Sequence, residues 1–575
     1  MVKKGIGILL AALFVFLSAC TGVNDNNDSK QENAEPPDSG PSETVATNEN
    51  ETEKNYDPFG KYDELVTMTT GQCINQAHQD SLPEGDTPDN NVYTRAVEKD
   101  LNIKTPSYWT VACTNLDQKV SLAIASNDLP DAMKVNKVQL RKMVEAGQLE
   151  EMTEAVKYAS PFIKSAWEST GGAAIESATF DGKVMAIPGV SSAESSLHNM
   201  WIRKDWLDRL GLELPRTLED LENVARAFVE QDPDGNGAAD TIGIIGTDVN
   251  DELYPTFLEG TEKGLGSIFY ALNSYPGYWI KGPDGQATYG SIMPETKEAL
   301  ALLRDWYSKG LIDPQLGIRN DANEPIIAGK AGIFFQSLWA GYTPLTDAWK
   351  KDPTANWQSY ALPLDANGRW NQTVNSTTVE YLVVKKGFKH PEAAMKLVNY
   401  RLQYGDYYEF EHGVETGNMP LRMEVNLRNQ MTEIANLIER VFVKGEPKEI
   451  LDVDFEPALY DQDYDYYLQV KKKPYDQYDI QYWNLDDMVK FPRIYLRVVG
   501  GRALQDPARN DVSSLIYEQT PTMTERWANL MKLEFETFYK IIMGVSPLDS
   551  FDQLVESWKK QGGDQITSEV RELVK

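Results

Sequence analysis

The stretch "NLDQKVSLAIASNDLPDAMKVNKVQLRKMVEAG", Asn115–Gly147, decides the fold class. Its first part reads as a helix running into a turn at "NDLPD", its middle, "DAMKVN", as a short strand, and its last part as a second helix stopped by Gly147. Helix, strand and helix in so short a span form the repeating unit of an α/β layer, in which helices cover a largely parallel sheet. The upstream flank fits the same pattern. "LVTMTT" (Leu65–Thr70) reads as a strand, "NNVYTRAVEKDL" (Asn90–Leu101) as a helix with an Asn cap, and "IKTPSYWTV" as a second strand interrupted by Pro. Ligands of such sheets bind at the carboxyl ends of the strands. Gln72, after the first strand, and Asn136, after the third, are therefore candidate binding residues.

Downstream, "HNMWIRKDWLDRLGLELP" enters a new strand and helix. Thr217 and Asp220 then form a capping box for a helix whose Leu218, Leu221, Val224, Ala225 and Phe228 share one face. That helix delivers the chain to "QDPDGNGAADTIGI", Gln231–Ile244, where Asp232, Asp234, Asn236 and Asp240 interleave with Pro and two Gly. Three carboxylates so close together repel one another unless a cation sits among them. Numbered as a calcium loop, Asp232 takes position 1, Asp234 position 3, Asn236 position 5, Gly237 the sharp turn at position 6, Ala238 the backbone carbonyl at position 7, and Asp240 position 9. Position 12 is Gly243, where a bidentate Glu belongs, so a bound Ca²⁺ needs further oxygens from water or elsewhere in the chain. Its role would be structural, since no reacting group lies nearby in sequence. An Asx-rich turn held by its own side-chain bonds is the alternative.

The 575 residues, 41% hydrophobic and 10% aromatic, can build a large core divided among two or more domains. A net charge of -31 repels a phosphate backbone and excludes nucleic acid as a partner. The opening "MVKKGIGILLAALFVFLSAC" has a basic start, an apolar run too short for the ~20 residues of a membrane span, and small residues before Cys20; residues 1–19 read as a signal peptide. "LSAC" resembles a bacterial lipobox, which would make Cys20 the lipidated first residue of the mature chain on the outer face of the cell membrane. Residues 20–57, rich in Asn, Glu, Ser, Thr and Pro, read as a flexible tether. Stable anchoring would need more than one acyl chain. Cys73 and Cys113 complete the cysteines, and their spacing leaves a disulfide and two thiols both open.

Taken in order, "ASNDLPDAM", "FDGKVMAIPG", "MWIRKDWLDRLGL", "DPDGNGAADTIGI", "YGSIMPETKEAL" and "KIIMGVSPLDSFDQLVESWKKQGGDQITSEV" resemble the extracellular solute-binding proteins of ABC importers, in particular the large lipoprotein subgroup for sugars and oligosaccharides. The resemblance runs from about Asp57 to the end. It implies a two-lobed α/β fold of the periplasmic-binding-protein type II, an oligosaccharide held in the cleft between lobes, delivery to a membrane permease, and a monomer. It also implies calcium at Asp232–Asp240, with Thr241, acidic in some relatives, leaving one ligand open. From the family's crossings, the N-terminal lobe is expected at 58–200 and 375–450 and the C-terminal lobe at 201–374 and 451–575.

A sugar presents an apolar C–H face and a belt of hydroxyls, which calls for aromatic platforms with acids and amides around them. Trp339 follows the apolar strand "GIFF", where related sugar binders keep a stacking aromatic, and Tyr342 is its neighbour. Trp201 lies in the first expected crossing, and Glu380 with Tyr381 in the next. A secreted glycosidase with paired carboxylates or a peptide-binding receptor of the same fold are the competing readings. The chain carries no H-E-x-x-H, G-x-S-x-G or G-x-x-x-x-G-K-[ST] motif, and catalytic residues are not expected.

Overall fold

The computed structural model describes residues 56–574, except 195–196, 250–251, 379, 452–456 and 473–475. The segment expected to be a signal peptide (1–19), Cys20 and nearly all of the expected tether (20–57) lie outside these residues. In chain order the strands that build the sheets are β1 (Thr70–Ile74), β2 (Ser107–Ala112), β3 (Ala132–Val135), β4 (Ile187–Pro188), β5 (Asn199–Arg203), β6 (Ile242–Ile244), β7 (Ala331–Gln336), β8 (Trp357–Tyr360), β9 (Trp370–Val374), β10 (Tyr381–Val384) and β11 (Arg509–Ser513). A five-stranded sheet has the order β2-β1-β3-β10-β4, and a four-stranded sheet the order β6-β7-β5-β8.

Each sheet is parallel except for one strand: β10 runs antiparallel to β3 and β4, and β5 antiparallel to β7 and β8. The reversed strand is in both cases the one the chain enters on leaving the other core. Local chemistry fixes the helices around them. Asn91 closes a capping box with Thr94 on the helix Val92–Leu101, Asn136 one with Gln139 on Lys137–Glu145, and Thr217 one with Asp220 on Leu218–Glu230. A cap of this kind contributes about 1 kcal/mol. The first sheet strand differs from expectation. Val66–Thr67 forms a separate ribbon with Ile103–Lys104, and "TGQCI" takes the place in the sheet.

The buried side chains fall into separate cores. One surrounds the five-stranded sheet and runs from Val66 to Val190 and again from Tyr381 to Val425. The four-stranded sheet has cores on its two faces, one reaching the helix Pro521–Ile542 and the other gathering Trp201, Phe334 and Trp357 with Ile434, Phe442 and Trp483. Packing therefore sets residues 434–442, grouped with the first lobe on sequence, beside the second sheet. Ile434, Ile438, Val441 and Phe442 fall in one core with Phe334 of β7 and Trp357 of β8.

Three segments join the cores: 191–199, 375–380 and 426–433. They lie side by side at the junction, with Gly189 N–H donating to Glu380 O (3.0 Å), Ser191 N–H to Thr377 O (2.8 Å), Val190 N–H to Glu424 O (2.9 Å) and Ala193 N–H to Arg428 O (3.0 Å). A small cluster of Ala193, Leu197, Leu338, Trp370, Leu496 and Leu504 packs beside them. Within the second half, β9 and β11 pair in parallel from Trp370↔Arg509 to Val374↔Ser513. Cys73 on β1 and Cys113, just after β2, form a disulfide.

Candidate functional site

The strand β7 is buried along its whole length and ends in the short turn Leu338–Gly341. That turn throws Trp339 and Tyr342 outward. They are 38% and 42% exposed, and their rings lie nearly parallel (8°) with centroids 6.3 Å apart. An exposed, pre-stacked aromatic pair costs hydrophobic free energy unless something covers it, and it is well suited to the C–H face of a ring. Trp339 lines a groove of about 300 Å³ that draws on both halves of the molecule, with Arg422, Glu424 and Asn426 from the third joining segment's approach and Arg497 from the second half.

The polar groups at this end of the first sheet are tied together. The Glu380 carboxylate accepts from Lys134 Nζ (2.9 Å) and from the Glu424 backbone N–H (2.8 Å). The Glu424 carboxylate accepts from Ser191 Oγ (3.0 Å) and Asn426 Nδ2 (2.6 Å). Partial desolvation raises the pKa of Glu424, and the nearby Glu380 carboxylate adds to the effect.

The other sequence-derived candidates have structural occupations. Trp201 is fully enclosed, stacked on Phe334 at 9°, with its Nε1–H donating to Gln336 O (3.2 Å) and Ser337 O (3.3 Å). Its expected place against a ligand is corrected: β5 is buried on both faces, so alternation gives no open side. Asn136 is a helix cap whose Nδ2 donates to Asp117 (3.1 Å), and Gln72 donates across to Ser107 Oγ (2.7 Å). Tyr381 is buried, donates to Ser177 Oγ (3.0 Å) and lines a second cavity of about 520 Å³, which Thr377 and Arg428 of the joining segments also line. Burial pushes its phenol up to about 12. The ion pair Arg141–Glu518 (2.5 Å) joins the two halves at this second cavity, which Glu518 lines.

The acidic loop closes on itself. The Asn236 Nδ2 donates to Asp234 (2.8 Å) and Asp240 (3.0 Å), the Gly237 N–H donates to Asp232 (3.0 Å), and Asp240 pairs with Lys330 (2.7 Å). Gly237 has φ 78°, the left-handed conformation that the sixth position of such a loop requires. Desolvation and the neighbouring Asp232 raise the pKa of Asp234, while the bond from Asp234 and the loop amides lower that of Asp232. Among the described residues, no group of three or more His, Cys, Asp or Glu is arranged to hold a metal.

Arg422, Glu424, Asn426 and Arg497 were not legible in the sequence, because they sit in segments with neither periodicity nor motif. Residues 110–403 match the model of the bacterial extracellular solute-binding protein family. The chain belongs to that family. Among relatives of this solute-binding protein is the fructooligosaccharide ABC transporter substrate-binding protein FusA of Streptococcus pneumoniae serotype 4, 27% identical over 264 residues that cover 43% of this chain and 46% of FusA. The lipoprotein LipO of Bacillus subtilis strain 168 is 23% identical over 509 residues, covering 83% of this chain and 88% of its own.

Two solved structures share the fold. An HMO-binding, ABC-transporter-associated solute-binding protein of Bifidobacterium longum infantis gives a TM-score of 0.59 at 16% identity, covering 89% of this chain and 98% of that one. FusA, as an EF-hand mutant in complex with fructo-nystose, gives 0.55 at 16% identity, covering 88% and 98%. This solute-binding protein therefore has the two-lobed α/β fold.

Proposed function

We propose that this solute-binding protein captures an oligosaccharide between its two lobes and hands it to the permease of an ABC importer. The observation that carries the reading is the half-exposed Trp339, stacked with Tyr342, in a groove lined from both halves. A ligand touching both halves binds the closed arrangement better than the open one, and so shifts the population toward closure. The lobes divide along the three joining segments, giving 56–190 with 381–425 and 200–374 with 434–574. FusA binding fructooligosaccharides supports the ligand class, and LipO being a lipoprotein supports an extracytoplasmic chain anchored through Cys20 after removal of residues 1–19.

The loop Asp232–Asp240 is proposed to hold a structural Ca²⁺. Its donor chemistry fits: three carboxylates, one amide oxygen after a flip of Asn236, and the Ala238 carbonyl. The FusA EF-hand mutant supports such a loop in relatives. Calorimetry should register Ca²⁺ binding that Asp232→Ala with Asp234→Ala abolishes; no heat from the unaltered protein would remove the calcium reading.

The test of function is an oligosaccharide panel followed by both thermal stability and product analysis. Stabilisation without product is the expected outcome, since a ligand that binds only the folded state raises its stability. Trp339→Ala should then weaken binding by about 2 kcal/mol, the scale of an aromatic hot spot, with little change in the unfolding of the free protein. Release of shorter sugars would turn the reading to a glycosidase, and stabilisation by peptides alone to a peptide receptor.

A further inference from the structure

Three arginines, Arg401, Arg422 and Arg497, line the Trp339 groove against one carboxylate, Glu424. This excess of positive charge lies in a protein whose net charge is -31. The second cavity shows no such bias: Lys137 and Arg428 there face Glu176 and Glu518. Arg497 is held by the enclosed carboxylate of Asp463 (2.7 Å). Arg422 is exposed and makes no ion pair or hydrogen bond with any described residue. Its charge acts on the Glu424 carboxylate and on His78 without a direct contact, and water solvates its exposed guanidinium, which leaves that group available to an acidic ligand beside the aromatic platform.

Resting on the oligosaccharide reading above, we infer that the groove takes an acidic oligosaccharide, one whose rings carry carboxylates as uronic acids do. A neutral sugar offers hydroxyls, which accept single hydrogen bonds. A uronate offers a planar carboxylate matched to the two-pronged donor of Arg422, a charge-assisted contact about twice as strong as a neutral one. Trp339, backed by Tyr342, would meet the ring's C–H face while the arginine meets its acidic edge. The volume, about 300 Å³, is at the small end of ligand sites, so the groove acts as the subsite that reads charge rather than the seat of the whole chain. The protein's overall negative field would slow the approach of such a ligand, and the local arginines offset it at short range.

The experiment compares a tetramer of galacturonic acid with the same tetramer methyl-esterified, beside neutral fructo- and gluco-oligosaccharides, by titration calorimetry on the full chain. The free acid should bind at least tenfold more tightly than its ester, and raising the salt should weaken the acid and not the ester. Arg422→Gln, an exposed substitution that leaves the cores intact, should shrink the gap between acid and ester severalfold. Equal affinity for acid and ester, or binding of neutral sugars alone, overturns the inference and leaves the receptor reading standing. Silence from every sugar overturns both.

Discussion

Around the five-stranded sheet the enclosed charged side chains among the described residues are the cations Lys396 and Arg401 on one flanking helix, and the other enclosed polar groups, such as Thr70, Asn91, Asn399 and Asn418, are neutral. The second half is built otherwise. It encloses Asp313 against Arg319 (2.7 Å), Asp463 against Arg493 and Arg497, Lys263 beside Asp248 (3.9 Å), and the lone carboxyl of Glu534. The first half carries instead a covalent tie, Cys73–Cys113. One half thus adds a cross-link to its packing, and the other adds buried carboxylates. A cross-link limits the unfolded chain without regard to pH, whereas an enclosed charge is tolerated only while its partner and its protonation state are kept.

The largest effect should come from Asp463, which is fully enclosed and faces two guanidinium groups. Asp463→Ala leaves two positive charges without their counter-ion, and removing one partner of a buried pair costs about 3–5 kcal/mol. Denaturant titration of the ligand-free protein should show this loss. A loss under about 1 kcal/mol would break the contrast by showing that the buried pair contributes no more than a surface one.

Next comes the tie in the first half. The two cysteines stand 40 residues apart, and closing such a loop stabilises by about 2–4 kcal/mol. Cys73→Ser with Cys113→Ser should lower the denaturant midpoint accordingly, by the same amount at pH 5 and pH 8. A loss that changes with pH would mean that ionisable groups of the first half respond to the cross-link.

Glu534 should make the second half pH-dependent. Its carboxylate accepts from Tyr254 (2.6 Å) and Ser291 (2.6 Å), and its Oε2 has no hydrogen-bond partner among the described residues. Complete burial pushes its pKa from 4.5 up to about 7. The folded state therefore holds this proton more tightly than the unfolded chain does. The resulting stabilisation is full below about pH 4.5 and is lost as pH rises toward 7, a change of about 3 kcal/mol at most. Glu534→Gln should gain about 1–3 kcal/mol over the parent at pH 8 and nothing at pH 4. A gain that is flat with pH would mean the carboxyl is ionised in the fold.

What was legible in the sequence was local. The Asn cap of the helix Val92–Leu101, the capping box at Thr217 and the strand-to-turn step that exposes Trp339 follow from neighbours within a few residues. Asn136 shows the limit of that reading. An Asn at a strand end that precedes a helix is first of all a cap, and the helix claimed its side chain. The third joining segment was unreadable for another reason. Its place depends on Val190 meeting Glu424 and on Ile434 meeting the core of Trp357, contacts between residues far apart in the chain. Trp201 failed because a strand covered on both faces has no alternation to read.

The smallest predicted effect concerns Tyr381, which bounds the first core where it meets the second cavity. Its hydroxyl donates to Ser177 Oγ, and Ser177 in turn donates to Ala174 O (2.6 Å), so Tyr381→Phe orphans no buried donor. The loss should be about 0.5–1 kcal/mol, the net worth of one ordinary hydrogen bond. The ring stays, and with it the contact of Lys137 Nζ 5.6 Å from its centroid. Affinity for the oligosaccharide should stay within twofold, because the hydroxyl faces the second cavity and not the Trp339 groove. A tenfold loss of affinity with unchanged stability would move the ligand into the cavity where positive and negative groups are balanced, and the acidic preference would have to disappear with it.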